Sequence, residues 1–255
     1  MPTSHSLPIL LKTLRLSTIS QQWQEVEKQA KQEVWSYAQY LSYLCEQEVC
    51  LRKTRRIARY QKEATLPIGK LFSTLDRDFY NSLKLEQLTP VEQQSDWVDN
   101  AQNLLLFGPS GVGKTHIGAA IGYSLVEKGK RVKFLTAIAA VQQLQLAKQE
   151  LKLQEMLFKW DKYELIIIDD IGYVKKSEAE SSVLFELIAH RYESRSLLIT
   201  SNQAFSEWES IFGDTMMTIA AIDRLVHHAR IIDFTGEHSF RKQQATQQQS
   251  QPPDS

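Results

Sequence analysis

From residue 103 onward, short apolar runs alternate with stretches in which apolar positions recur every three or four residues. The short runs read as buried strands and the periodic stretches as amphipathic helices. The expected strands are Asn103–Phe107, Arg131–Ala137, Glu164–Asp169, Ser196–Ser201 and Arg230–Phe234, with helices at about 114–128, 138–160, 177–194 and 218–228. Alternation of this kind builds a parallel sheet with right-handed crossovers. The expected fold class is α/β, a doubly wound parallel sheet, preceded by a small all-helical domain.

That first domain, residues 1–70, carries a different pattern. Val34, Tyr37, Ala38, Leu41, Leu44 and Cys45 fall on the i, i+3, i+4, i+7 template of one helix face, which Leu51 extends. The helix runs into LRKTRRIARYQK, and Thr65-Leu66-Pro67 with Gly69 signals its end. Residues 71–102 read as a connector, 103–242 as the α/β domain, and the Gln-rich tail 243–255 as disordered.

Chemistry concentrates where the strands end. The run Gly108, Pro109, Ser110, Gly111, Val112, Gly113, Lys114, Thr115 fits G-x-x-x-x-G-K-[ST] between a strand and a helix. Its glycines let backbone N–H groups face an anion, and the helix adds its positive N-terminal end. Lys114 is expected at the β/γ-phosphates of ATP and the Thr115 hydroxyl at Mg²⁺. A second Mg²⁺-side carboxylate is expected from Leu165-Ile166-Ile167-Ile168-Asp169-Asp170, where four apolar residues make a fully buried strand. Asp169 then emerges at the strand's C-terminal edge, where α/β ligands bind. Asp170 is placed to orient or deprotonate the attacking water. Asn202, at the end of the next strand, suits either a turn or a contact to that water.

Composition changes this picture in one respect. The 255 residues are 42% apolar, 24% charged and formally neutral, so overall charge makes no case for a polyanionic partner. Residues 1–70, however, hold 11 Lys/Arg against 6 Asp/Glu. Arg52, Lys53, Arg55, Arg56, Arg59 and Lys62 follow one another with no acid among them. Such a helix repels itself unless a polyanion lies nearby, and phosphate-backbone binding would use it without reading sequence. Lys175-Lys176 is a weaker candidate of the same kind. Cys45 and Cys50, about 140° apart on a helix, cannot bridge each other and read as buried or half-buried thiols. The histidines read as structural. With no signal-peptide pattern at MPTSHSLPILLKTLRL and no apolar run of membrane-spanning length, the expected location is cytoplasmic.

Several stretches together resemble the IstB-like ATPases, helper proteins of insertion-sequence transposition related to DnaC-type helicase loaders in the AAA+ superfamily. They are Gly-Pro-Ser-Gly-Val-Gly-Lys-Thr-His at 108–116, Ile-Asp-Asp-Ile-Gly-Tyr at 168–173 and Ile-Thr-Ser-Asn at 199–202. Phe-Ser-Glu-Trp-Glu-Ser-Ile-Phe-Gly-Asp at 205–214 and Ile-Asp-Arg-Leu-Val-His-His at 222–228 are the more specific. The resemblance implies an AAA+ sheet with His116 closing the nucleotide-contacting run, Asn202 at the sensor-1 position and Arg241 at sensor 2. It makes Arg224 an arginine finger reaching into a neighbouring subunit. It further implies an ATP-dependent homo-oligomer on duplex DNA that recruits a DDE-type transposase. A helicase loader and a non-hydrolysing nucleotide-binding scaffold are the alternatives. The chain departs from the wider AAA+ pattern in carrying Asp170 where Glu is usual, which puts hydrolysis rate in question more than binding, and from the family's pattern in carrying Lys175 where proline is usual, which implies an altered loop there.

Overall fold

The computed structural model describes residues 6–173, 178–203, 207 and 215–235. The chain divides into two compact units, residues 1–59 and 60–255.

The first unit is helical. Helix α1 spans Leu7–Thr13, α2 Ser17–Gln32 and α3 Tyr37–Ala64, the last crossing the division between units. Leu11, Ile19, Val26 and Leu44 form the core, flanked by Trp23, Trp35, Tyr40 and Tyr43. Of the face expected from sequence, Leu44 is buried in this core, whereas Val34, Tyr37 and Leu41 are exposed. Val34 precedes α3 in a left-handed conformation (φ +56°), so a periodicity drawn through it starts before the helix does. Cys45 and Cys50 are both exposed, contrary to the expectation of buried or half-buried thiols.

One buried charge organises this unit. The N-cap of α2 is Leu16, which has no side-chain acceptor for the free N–H groups of the first turn. Glu48 of α3 supplies it. Oε2 accepts from Thr18 N–H (2.7 Å) and Ile19 N–H (3.1 Å), while Oε1 accepts from Arg52 Nε (2.7 Å). Burial alone would raise the Glu48 pKa, but the Arg52 guanidinium and the two amides outweigh it and hold the carboxyl below its ordinary range.

In the second unit, 3₁₀ turns at Phe72–Thr74 and Arg77–Phe79 precede α4 (Ser82–Gln93) and α5 (Asp96–Asp99). The sheet then builds through β1 (Asn103–Phe107), α6 (Lys114–Glu127), β2 (Val132–Thr136), α7 (Ala137–Gln149), α8 (Leu153–Trp160), β3 (Leu165–Asp169), α9 (Glu178–Arg191), β4 (Ser196–Ser201), α10 (Thr215–Val226) and β5 (Ala229–Asp233). The strands are parallel in the order β2-β3-β4-β1-β5. This is the doubly wound sheet expected. Alternate residues serve its two faces: Ile166, Ile168, Leu197 and Ile199 join α7, α9 and α10 in one core cluster. On α6 a Cβ added at Gly118 would touch Leu198 and Ile167, so α6 packs on the other face.

The single helix expected at 138–160 is two helices. Leu151 takes a left-handed conformation (φ +58°), with Leu151 N–H bonded to Lys148 O (3.1 Å) and Lys152 N–H to Ala147 O (2.7 Å). That pair of bonds is the Schellman stop, here without its usual glycine. Breaking the helix lets α8 turn Leu153, Leu157 and Trp160 into the core.

Arg191 closes the sheet's opposite end. It is fully buried, and its guanidinium donates to the carbonyls of Trp160, Tyr163, Glu164 and Ser196 (2.9–3.4 Å). Burial pushes its pKa down to about 9, against the opposing pull of Asp161, so it keeps its charge at neutral pH.

Glu48→Ala is expected to destabilise the helical unit by about 3 kcal/mol, because the buried Thr18 and Ile19 amides lose their acceptor at about 1.5 kcal/mol each, while the half-exposed Arg52 is left to water. Hydrogen exchange of the α2 amides checks this, with about 100-fold loss of protection expected. Because the folded-state pKa is depressed, the Glu48 contribution is complete above the ordinary carboxyl value of about 4.3 and is lost as pH falls through the lower folded value.

Candidate functional site

The order of strands decides where chemistry can gather. Strands β3, β4 and β1 are adjacent, so the segments leaving their C-terminal ends converge. Those segments carry Asp169-Asp170, Asn202 and the loop 108–113.

The loop owes its shape to two glycines. Gly113 caps α6 at φ +89°, a conformation that disfavours a side chain. A Cβ there would also lie 2.3 Å from the Tyr80 hydroxyl. Gly108 (φ +144°) lies against Phe234, which a Cβ would approach to 2.8 Å. With the loop so held, the first N–H groups of α6 have no partner within the helix and face the loop's interior. Lys114 is buried, and its ammonium donates to the loop carbonyls of Gly108 (2.7 Å) and Pro109 (2.9 Å). A buried cation at the positive end of a helix, beside a loop whose glycines leave no room for a Cβ, suits a polyphosphate.

Tyr80 is a residue that sequence reasoning missed. Its buried hydroxyl donates to Val112 O (2.9 Å), and its ring meets Phe234 edge-on at 5.8 Å between centroids. A tyrosine in a polar connector carries no motif that would single it out. The 70–80 segment forms the other wall of a pocket of about 390 Å³, where Lys70, Asp76 and Phe79 face Ser110, Lys114 and Thr115. His116 also lines this pocket and ties the two walls together, with Nε2 2.9 Å from Leu71 O and 3.3 Å from Thr74 Oγ1.

Asp169 links three elements. Its Oδ2 accepts from Thr115 Oγ1 on α6 (3.0 Å), and its Oδ1 accepts from Thr200 Oγ1 on β4 (2.8 Å). Thr200 Oγ1 in turn accepts from Asp170 N–H (2.8 Å), fixing Asp170 in a left-handed conformation (φ +66°) at the pocket wall. Thr200 is the second residue that sequence reasoning missed, although it stands beside Asn202 in the run already singled out. The oxygens of Thr115 and Asp169 make a hard donor pair at the mouth of the phosphate cradle, and that chemistry fits Mg²⁺. Asn202 also lines the pocket, and its Oδ1 is screened from solvent and accepts no hydrogen bond from the described residues.

Other candidates lie elsewhere. Arg224 does not line the pocket; its guanidinium lies 5.3 Å over the Phe185 ring of α9. Arg241, Lys175-Lys176 and all of 205–214 except Glu207 fall outside the described residues. On α3, Arg52, Lys53, Arg55, Arg56, Arg59 and Lys62 are all exposed. Two of them also serve the fold: Arg52 bonds Glu48 and the Arg15 carbonyl, and Arg55 Nη1 donates to Ser17 Oγ at 2.8 Å. Among the described residues, no helix is long and apolar enough to cross a membrane.

Known proteins share both this sequence and this architecture. The sequence model of the family described as IstB-like ATP binding protein matches residues 9–248. An insertion-sequence ATP-binding protein of Sinorhizobium fredii is 46% identical over 239 residues, which cover 94% of this chain and 80% of that protein. The IS21 ATP-binding protein of Pseudomonas aeruginosa is 32% identical over 237 residues, covering 93% and 89%. Among solved structures, the DnaC helicase loader matches with a TM-score of 0.51 at 19% identity, over 69% of this chain and 98% of that one. AMPPCP-bound DnaA from Aquifex aeolicus matches with a TM-score of 0.55 at 16% identity, over 74% and 59%. These two likenesses show that the doubly wound parallel sheet is of the same fold as in those proteins.

Gly113→Ala is expected to weaken ATP binding by at least about tenfold, since it adds both backbone strain and a collision with Tyr80. Tyr80→Phe on that background removes the colliding oxygen and should restore part of the loss. Fluorescent-nucleotide titration of the parent and the two variants checks it; no recovery in the double variant would mean that φ alone sets the cost.

Proposed function

We propose that this chain, which belongs to the IstB-like ATP-binding protein family, is an ATP-driven assembly factor that coats duplex DNA and presents it to a transposase of DDE type. The observation that carries the reading is the joining of Thr115, Asp169 and Thr200 at the mouth of the phosphate cradle, with Asp170 and Asn202 on the wall of that pocket. A pocket for nucleotide binding alone has no use for the second carboxylate and the amide.

In this reading each residue has a role that its position supports. Loop amides and Lys114 bind the phosphates, the ammonium exchanging its two loop carbonyls for phosphate oxygens. Thr115 and Asp169 hold Mg²⁺, which when bound neutralises charge on the β- and γ-phosphates. Asn202 orients the attacking water and Asp170 accepts its proton as the water oxygen bonds to the γ-phosphorus and ADP departs. Asp170 is one methylene shorter than glutamate, so turnover should be slow while binding stays tight.

Among the described residues the pocket is lined by two lysines, Lys70 and Lys114, and no arginine. Arg224, standing outside its own pocket, is the candidate to complete the pocket of a neighbouring subunit, as an arginine finger supplied in trans does. ATP binding and subunit association then favour one another. The exposed cations of α3 are the surface for the DNA backbone, and clustering subunits on one duplex makes many such weak contacts act together.

Lys114→Ala is expected to weaken ATP binding about 10- to 100-fold, the loss of a charge-assisted contact, and to abolish ATP-dependent assembly on DNA. Electron microscopy of DNA complexes checks this, and unchanged assemblies would contradict the reading. Lys53→Gln with Arg56→Gln tests the DNA surface better than changes at Arg52 or Arg55, which also hold the fold. It should weaken binding to all duplex sequences alike and lower the slope of log affinity against log salt by about 1.8. Stimulation of a replicative helicase rather than a transposase would move the chain to the loader class.

A further inference from the structure

We propose that Glu193, His227 and His228 form a binding site for a divalent transition-metal ion of the Zn²⁺ or Co²⁺ class. The two histidines are neighbours in sequence and Glu193 stands 34 residues before them, but the fold brings all three together. Glu193 stands in the turn after α9, left-handed at φ +54°, and the two histidines follow the last residue of α10. One ligand atom from each lies within 4.8 Å of the other two. Metal–nitrogen and metal–oxygen bonds of about 2.1 Å in a tetrahedral site place ligand atoms about 3.4 Å apart. His228 Nε2 and Glu193 Oε1 are already 3.6 Å apart. All three side chains are exposed, so rotation within their own rotamers supplies the remaining contraction without moving backbone.

The surroundings favour a metal over a simple ion pair. His227 Nδ1 lies 2.9 Å from the Tyr192 hydroxyl. A metal-ligating histidine commonly engages its second ring nitrogen with an oxygen, which fixes the tautomer and turns the free nitrogen to the ion. The two imidazole rings lie 4.1 Å apart between centroids, and the roughly 5 Å that two rings on one tetrahedral ion need is reached by rotating the exposed side chains. Two imidazoles and one carboxylate make a borderline donor set. Magnesium prefers oxygen ligands alone, so this set differs in kind from the Thr115–Asp169 pair. Three protein ligands leave a fourth position open to water. The bound ion clamps the ends of α9 and α10, the helices that also seat Arg224 against Phe185.

The test uses the full-length chain without an affinity tag, stripped with chelator and free of nucleotide, titrated with Co²⁺. The expected result is a visible absorption of tetrahedral type that saturates at one Co²⁺ per chain, is displaced by Zn²⁺ and is indifferent to Mg²⁺. His228→Ala and Glu193→Ala should each weaken Co²⁺ binding by more than about tenfold, and Tyr192→Phe by about tenfold, as loss of an outer-shell partner does. Circular dichroism and ATP binding of each variant should match the parent, separating ligand loss from misfolding. Undiminished Co²⁺ binding by His228→Ala overturns the proposal. So does the absence of any Co²⁺ signal, or one dominated by thiolate charge transfer, which would place the ion on the exposed Cys45 and Cys50.

Discussion

The carboxylate of Asp169 is the contact on which the rest of the nucleotide pocket depends. It is nearly buried at the end of an apolar strand, where a charge without partners would be costly. Two hydroxyls satisfy it, Thr115 from the helix behind the phosphate loop and Thr200 from the neighbouring strand. Through these it fixes the start of α6 against β3 and β4, and Thr200 passes the constraint on to the Asp170 backbone. Strand order makes this possible: β3 and β4 are neighbours, and β4 adjoins β1, from which the loop springs. A sheet wound in simple sequential order would put β2, rather than the Thr200-bearing β4, between the strand that leads into the loop and the strand that ends in Asp169.

The molecule uses buried charge in two further places, each held largely by backbone groups. Arg191 is held by four carbonyls at the other end of the sheet, and Glu48 by two amides at the start of α2. These are scaffolding charges whose partners are fixed by the fold. The distinction divides the basic run of α3. Arg52 and Arg55 are partly committed to the helical unit, and the proposed DNA surface draws on cations such as Lys53 and Arg56 beside them.

Much of this was legible in the sequence where local pattern and tertiary demand coincide. Every strand was placed to within a residue or two, since each is a short apolar run and the sheet buries β1, β3 and β4 completely. The phosphate loop was legible because its glycines are demanded by backbone geometry. What escaped reading depends on partners distant in the chain. Tyr80 acquires meaning only against Val112 and Phe234, and Thr200 only between Asp169 and Asp170. The break at Leu151 escaped because a leucine in left-handed conformation leaves no composition signal. Glu193 and the histidine pair escaped because ligand spacing is sought locally, whereas here two helix ends supply it.

The proposed assembly makes the ATP site a property of two subunits, with Lys114, Asp169 and Asp170 from one and Arg224 from the next. Steady-state ATP hydrolysis on duplex DNA by a mixture of Asp170→Asn and Arg224→Ala chains, both of which keep Lys114 and its phosphate contact, addresses this directly. Neither variant alone should turn over ATP. Mixed subunits should recover about a quarter of wild-type activity, since a random mixture pairs an intact pocket with an intact arginine at about one interface in four. Full activity of Arg224→Ala alone, or no recovery in a mixture that still assembles on DNA, would contradict a site shared between subunits.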